Sequence, residues 1–225
     1  MFFFDWTFVL LIPAFLFTLY AQMKVKSTYS KMSQTRAASG MTGKQVAENL
    51  LRRNNIFDVT VEHVSGKLTD HYDSKKKKLR LSDGVYNSSS LAALGVAAHE
   101  TGHAIQHAKE YAPLNVRQAI FPVASFGSNW GLWLFIIGLF ISQFSFLMDV
   151  GIILFAGAVI FHLVTLPVEL NASQRAMAQL KSGGYLRSNE VSGAQKVLNA
   201  AALTYVAAAA MAVLQLLRLI ILRDE

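Results

Sequence analysis

The chain of 225 residues contains no cysteine. A disulfide framework is therefore excluded, and any metal has to be held by histidine, carboxylate or amide groups. No segment repeats, and no glycine-rich loop of the kind that cradles phosphate is present. No lysine or arginine precedes the first apolar run, so a cleaved signal peptide is not expected. Carboxylates are few, 14 against 21 lysines and arginines, for a formal charge of +7. The basic residues lie mostly in one segment flanked by apolar runs. Cytoplasmic loops and anionic headgroups explain them better than nucleic acid does. What the chain has in quantity is apolar sequence: 53% hydrophobic residues and a mean hydropathy of +0.35, which point to a membrane protein.

Residues 2–21 form an apolar run long enough to cross a hydrocarbon core of about 30 Å as a helix, with Pro13 as an expected kink. Lys24, Lys26, Lys31 and Arg36 come directly after it, which puts the N-terminus outside and the next segment in the cytoplasm. Leu132 to Leu147 and Val150 to Leu166 read as a membrane hairpin within residues 130–166, turning at Met148 and Asp149. Pro113 to Asn129 is an interfacial lead-in on this reading. Residues 167–196 return to the cytoplasm with a helix to about Lys181, stopped by Ser182-Gly183-Gly184, and residues 197–222 form a fourth span. The two inner segments carry fifteen and four of the basic residues, and the C-terminal end carries two.

Residues 24–112 read as a folded cytoplasmic part. Gly43 to Asn54 has helical spacing of Val46, Leu50 and Leu51. Extended runs come next at Val59 to Val64, Lys67 to Tyr72 and Lys78 to Leu81, with turns at Ser65-Gly66 and Asp73-Ser74. Leu79 to Leu81 is expected to be the edge strand. Lys75 to Lys78 reads as a solvated turn, and His63 and His71 as strand-surface histidines.

The chemistry lies in Leu91 to Tyr111, centred on His99-Glu100-Thr101-Gly102-His103. Residues four apart share a helix face, so the two imidazoles can close on one metal ion. Glu100, about 100° round the helix from His99, is placed as a base rather than a ligand. Ser88, Ser89 and Ser90 offer N-caps, and Gly95, Ala98 and Gly102 let another helix approach closely. The polar second half of this helix argues against a membrane span. His107 is expected beside the site or at the surface, and His162 as a hydrogen-bonded histidine inside the helix bundle.

A catalytic zinc site normally has three protein ligands. Glu110 is roughly 10 Å along the same helix and cannot fold back. Asp149 falls on the other side of the membrane, and Asp224 and Glu225 are terminal. Glu190 is possible, in a Ser/Gly-rich stretch. Glu169 is favoured: it starts a cytoplasmic helix, and Ala172, Ser173 and Ala176 would let that helix press on Gly95 and Gly102.

The run GVAAHETGHAIQH, with TLPVELNAS and GAQKVLNAAALTYVAAA after it and LTDHYD and LRLSDGVYNSSS before it, resembles the YugP-like membrane zinc metallopeptidases of bacteria. These are gluzincin-type proteins, reminiscent of the zinc proteases of membrane quality control. The resemblance covers most of the chain. It implies His99, His103 and Glu169 as zinc ligands and Glu100 as catalytic base. Relatives often carry an acidic residue two positions beyond the third ligand. Here Asn171 stands in that place and could orient a histidine only through its carbonyl oxygen.

The expected fold is mainly α, with about four membrane helices and a small α+β cytoplasmic zincin-like domain. The expected activity is peptide-bond hydrolysis with zinc at the cytoplasmic face of the bacterial plasma membrane. A peptide or protein would be the substrate and the lipid bilayer the surroundings. Two rivals differ in class. An intramembrane metalloprotease is disfavoured by the polar motif helix and the missing Asp-Gly ligand motif. A chaperone or adaptor with a structural zinc is disfavoured by Glu100, since a structural site needs no base.

Overall fold

The computed structural model describes residues 6–224; residues 1–5, with Phe2 and Asp5, and Glu225 lie outside the described part. After a 3-10 segment at Trp6–Leu11 come helices α1 (Ile12–Ser33) and α2 (Gly43–Arg53). Strands β1 (Thr60–His63), β2 (His71–Asp73) and β3 (Lys78–Leu81) come next, then a short α3 (Asp83–Tyr86) and α4 (Leu91–Ala108). The chain closes with α5 (Ala112–Phe140), α6 (Phe146–Ser182) and α7 (Val191–Asp224). It divides into two compact units. One holds the described residues up to Gln22, Asn115–Pro167 and those from Leu203 on; the other holds Met23–Leu114 and Val168–Ala202.

Four helices among the described residues are long and apolar enough to cross a membrane: Trp6–Ser33, Ala112–Phe140, Phe146–Ser182 and Val191–Asp224. In the first unit, apolar side chains such as Phe121, Trp130 and Trp133 stand exposed, as lipid-facing residues do. The α5 and α6 backbones meet where Gly127 faces the Leu154 carbonyl and Gly131 faces Gly151, approaches too close for a Cβ. Arg218 Nε donates to Thr7 Oγ1 at 3.0 Å, and Arg223 Nε to Asp149 Oδ1 at 2.9 Å. The start of the first span, the start of α6 and the end of α7 are thus tied together at one end of this unit.

Several boundaries differ from the sequence reading, each for a local reason. Pro13 is the second residue of α1, where the 3-10 segment gives way to α-helix. Pro113 likewise opens α5, so residues 113–129 belong to the same helix as residues 130–140 and form no separate lead-in. The hairpin turns at polar Ser142-Gln143, through a 3-10 segment Ser142–Phe144, and not at Met148-Asp149. Asp149 instead sits in the first turn of α6, where a carboxylate favours the helix dipole. Pro167 removes one backbone donor without ending a helix of 37 residues.

In the second unit, Thr42 and Gln45 form a reciprocal cap at the start of α2, and Asn55, at a φ of 57°, ends the turn after it. The sheet has the order β1-β3-β2, with β1 parallel and β2 antiparallel to β3. β3 is therefore central, which overturns the expectation that Leu79 to Leu81 is an edge. Leu79 and Leu81 are fully buried against Ala93, Ala97, Ala104 and Ile105 of α4. Each such leucine stabilises the fold by about 1.5–3 kcal/mol. Lys67 to Thr69 are not in a strand; the second run pairs only from His71. The other flank of α4, at Leu94 and Ala98, packs with Ala176 and Leu180 of α6 and Ala194 and Leu198 of α7. The motif helix is thus held between the sheet and the helices later in the chain.

Candidate metal centre

α4 begins where Ser90 Oγ accepts the Ala93 N–H at 3.1 Å, so the last of the three serines is the cap. From there the helix carries His99 and His103 to one face, with ring centroids 4.8 Å apart and planes at 85°. Gly102 lets α6 come in: a Cβ there would lie 2.6 Å from the Ala172 carbonyl oxygen. Gly95, expected to face the same helix, meets Ala194 of α7 instead.

That approach delivers Glu169, 4% exposed, onto the two rings. Its Oε2 lies 3.2 Å from His99 Nε2 and 3.5 Å from His103 Nε2. One ligand atom from each of the three side chains falls within 4.8 Å of the others. The opposite ring nitrogens are engaged elsewhere, His99 Nδ1 with Ser173 Oγ at 3.1 Å and His103 Nδ1 with Gln106 Oε1 at 3.0 Å. Both Nε2 atoms are left facing the carboxylate. Two neutral imidazole nitrogens, one carboxylate oxygen and no thiolate are a donor set that fits catalytic zinc, with a coordination position to spare.

Glu100 is 9% exposed and is not one of the three clustered donors. Burial pushes its carboxyl up to about 7; His99 opposes the shift, while Glu169 and Asp70 add to it. A carboxyl poised near neutrality can both accept and return a proton.

The remaining candidates fall elsewhere. Glu190 is occupied by backbone amides, its Oε1 accepting from Ala38 at 2.7 Å and its Oε2 from Arg187 at 2.8 Å. His107 bonds through Nδ1 to the Tyr72 hydroxyl at 2.9 Å. His63 pairs with Asp83 and His71 contacts Arg80, both at the surface. His162 lies in α6 against Phe161. Asn171 does present its oxygen toward the site, but to Gln106 rather than to a histidine. Gln106, fully buried, was not singled out by the sequence reading; its place three residues after His103, on the same face, was the available signal.

The model of a family described as "Putative neutral zinc metallopeptidase" matches residues 7–224. The chain is also 47% identical over 220 residues to a Bacillus subtilis (strain 168) protein described as "Putative membrane protease YugP". That similarity covers 96% of this chain and 97% of the relative. No solved structure matches the chain.

Proposed function

The chain belongs to this family, and we propose that it hydrolyses peptide bonds with zinc at the cytoplasmic face of the bacterial plasma membrane, in the quality control of membrane proteins. The observation that carries the reading is the convergence of His99, His103 and Glu169 within 4.8 Å beside a buried Glu100. These three side chains would hold the zinc in the proposed site. Bound there, the ion supplies Lewis acidity that polarises a scissile carbonyl and favours ionisation of water. Glu100 takes the proton of the attacking water and returns it to the leaving amine, a role suited to a carboxyl near neutrality.

Of the two edge strands, β2 packs against α4, and its Tyr72 amide acts on Glu100. A substrate segment pairing its backbone with β2 would run past the base. The cytoplasmic assignment follows from charge. The unit holding the site carries eighteen of the 21 lysines and arginines, as cytoplasmic parts of membrane proteins do. Residues 24–112 and 167–196 would together form the zincin-like domain.

Glu100→Gln separates chemistry from metal binding. It should keep the zinc stoichiometry of the wild type and lose about 10²–10⁴ in peptide hydrolysis. Cleavage at the wild-type rate would remove Glu100 as the base and overturn this mechanism.

A further inference from the structure

The Gln106 amide has two N–H donors on its nitrogen and an acceptor oxygen. Both donors meet oxygens: the Val168 carbonyl at 2.8 Å and Asn171 Oδ1 at 3.0 Å. Turned the other way, the amide would set oxygen against oxygen twice, so Oε1 has to face His103. His103 Nδ1, 3.0 Å away, must then be the protonated nitrogen. The direction of the whole chain of bonds is set at its far end. Asn171 Oδ1 also accepts from Arg175 Nε at 2.6 Å, and a guanidinium can only donate. Arg175 in turn lies over the Tyr111 ring, 5.8 Å from its centroid.

We propose that Gln106 is a positioning residue: it fixes His103 in the Nδ1-protonated tautomer, so that Nε2 offers its lone pair, and pins the backbone of the Glu169 helix to the helix of the two histidines. Arg175 and Asn171 orient Gln106. Asn171 does through its amide oxygen what an acidic residue at that place would do, because only an acceptor is required there. The inference rests on the reading of His103 as a zinc ligand.

The test uses the full chain in detergent, stripped with a chelator and titrated with zinc against a chromophoric competitor. Gln106→Met keeps the volume and removes every hydrogen bond. It should weaken zinc binding by about 10–100-fold, the usual cost of losing the partner of a ligating histidine. The absorption spectrum of the cobalt-substituted protein should change with it. Asn171→Leu, which leaves Gln106 held by the Val168 carbonyl alone, should shift both readouts the same way by a smaller amount, and Asn171→Asp should restore them. This second pair carries the test should Gln106→Met fail to fold. A merely structural role would lower the melting temperature and leave the affinity and cobalt spectrum of the folded protein unchanged. Wild-type affinity and spectrum in both Gln106→Met and Asn171→Leu would overturn the proposal while leaving the zinc site standing. Absence of zinc binding in the wild type would overturn both.

Discussion

Glu100 is costly to the fold in its ionised form. In the unfolded chain this carboxyl ionises near 4.5, whereas in the folded protein burial holds the proton until about 7. Below the lower value both states are neutral and nothing is lost. Between the two values the folded state binds more protons, so stability falls as pH rises, and above about 7 the loss levels off. Its full size is about 3 kcal/mol at 1.36 kcal/mol per unit. In metal-free protein, Glu100→Gln should therefore melt close to wild type at pH 4.5 and clearly above it at pH 8. Equal differences at both values would mean that the carboxyl is not buried as described. The same residues mark the limit of sequence reading at this scale. His99, Glu100 and His103 were legible because helical spacing alone places them. Glu169 was favoured by elimination among few carboxylates and by the small residues that follow it, and was implied by the resemblance. Gln106 was not legible, because its role depends on Val168 and Asn171, more than sixty residues away.

At the scale of elements, α2 was legible from the helical spacing of Val46, Leu50 and Leu51, and α4 from the serines that offer a cap before Leu91. The strands were legible as runs, but their order was not. β3 directly precedes α3 and α4 and looked like an edge, yet β1 and β2 close on both its sides. Nothing local to Lys78–Leu81 reports those partners except the two leucines that end up fully buried. Proline misled in the membrane runs. Pro113 falls in a first turn, where the ring fits the helix, and Pro167 lies inside a helix long enough to lose one hydrogen bond. Met148-Asp149 looked like a turn because it is the polar gap between two apolar runs. The chain turns a few residues earlier, at Ser142-Gln143, and uses the carboxylate at the start of the next helix.

For the whole molecule, the distribution of charge implies one orientation. The Asp149–Arg223 and Thr7–Arg218 pairs bring the start of the first span, the start of α6 and the end of α7 to a common end of the membrane unit, as four crossings that start and finish on one side of a membrane require. The absence of cysteine makes the orientation directly measurable. Single cysteines at Ser74 and Ser182 should resist an impermeant thiol reagent in intact cells, and one at Asp149 should react. Labelling at Ser74 would place the chemistry on the outer face. The proposed reading is that two histidines of one helix and a carboxylate from a helix some seventy residues later hold one zinc ion. It is tested most directly by the zinc content of purified Glu169→Ala and Glu190→Ala, with the fold of each checked by circular dichroism. Glu169→Ala should lose the metal, since two imidazoles and water make a weak site, and Glu190→Ala should keep it, since its oxygens serve backbone amides. Full zinc occupancy in Glu169→Ala would contradict the account.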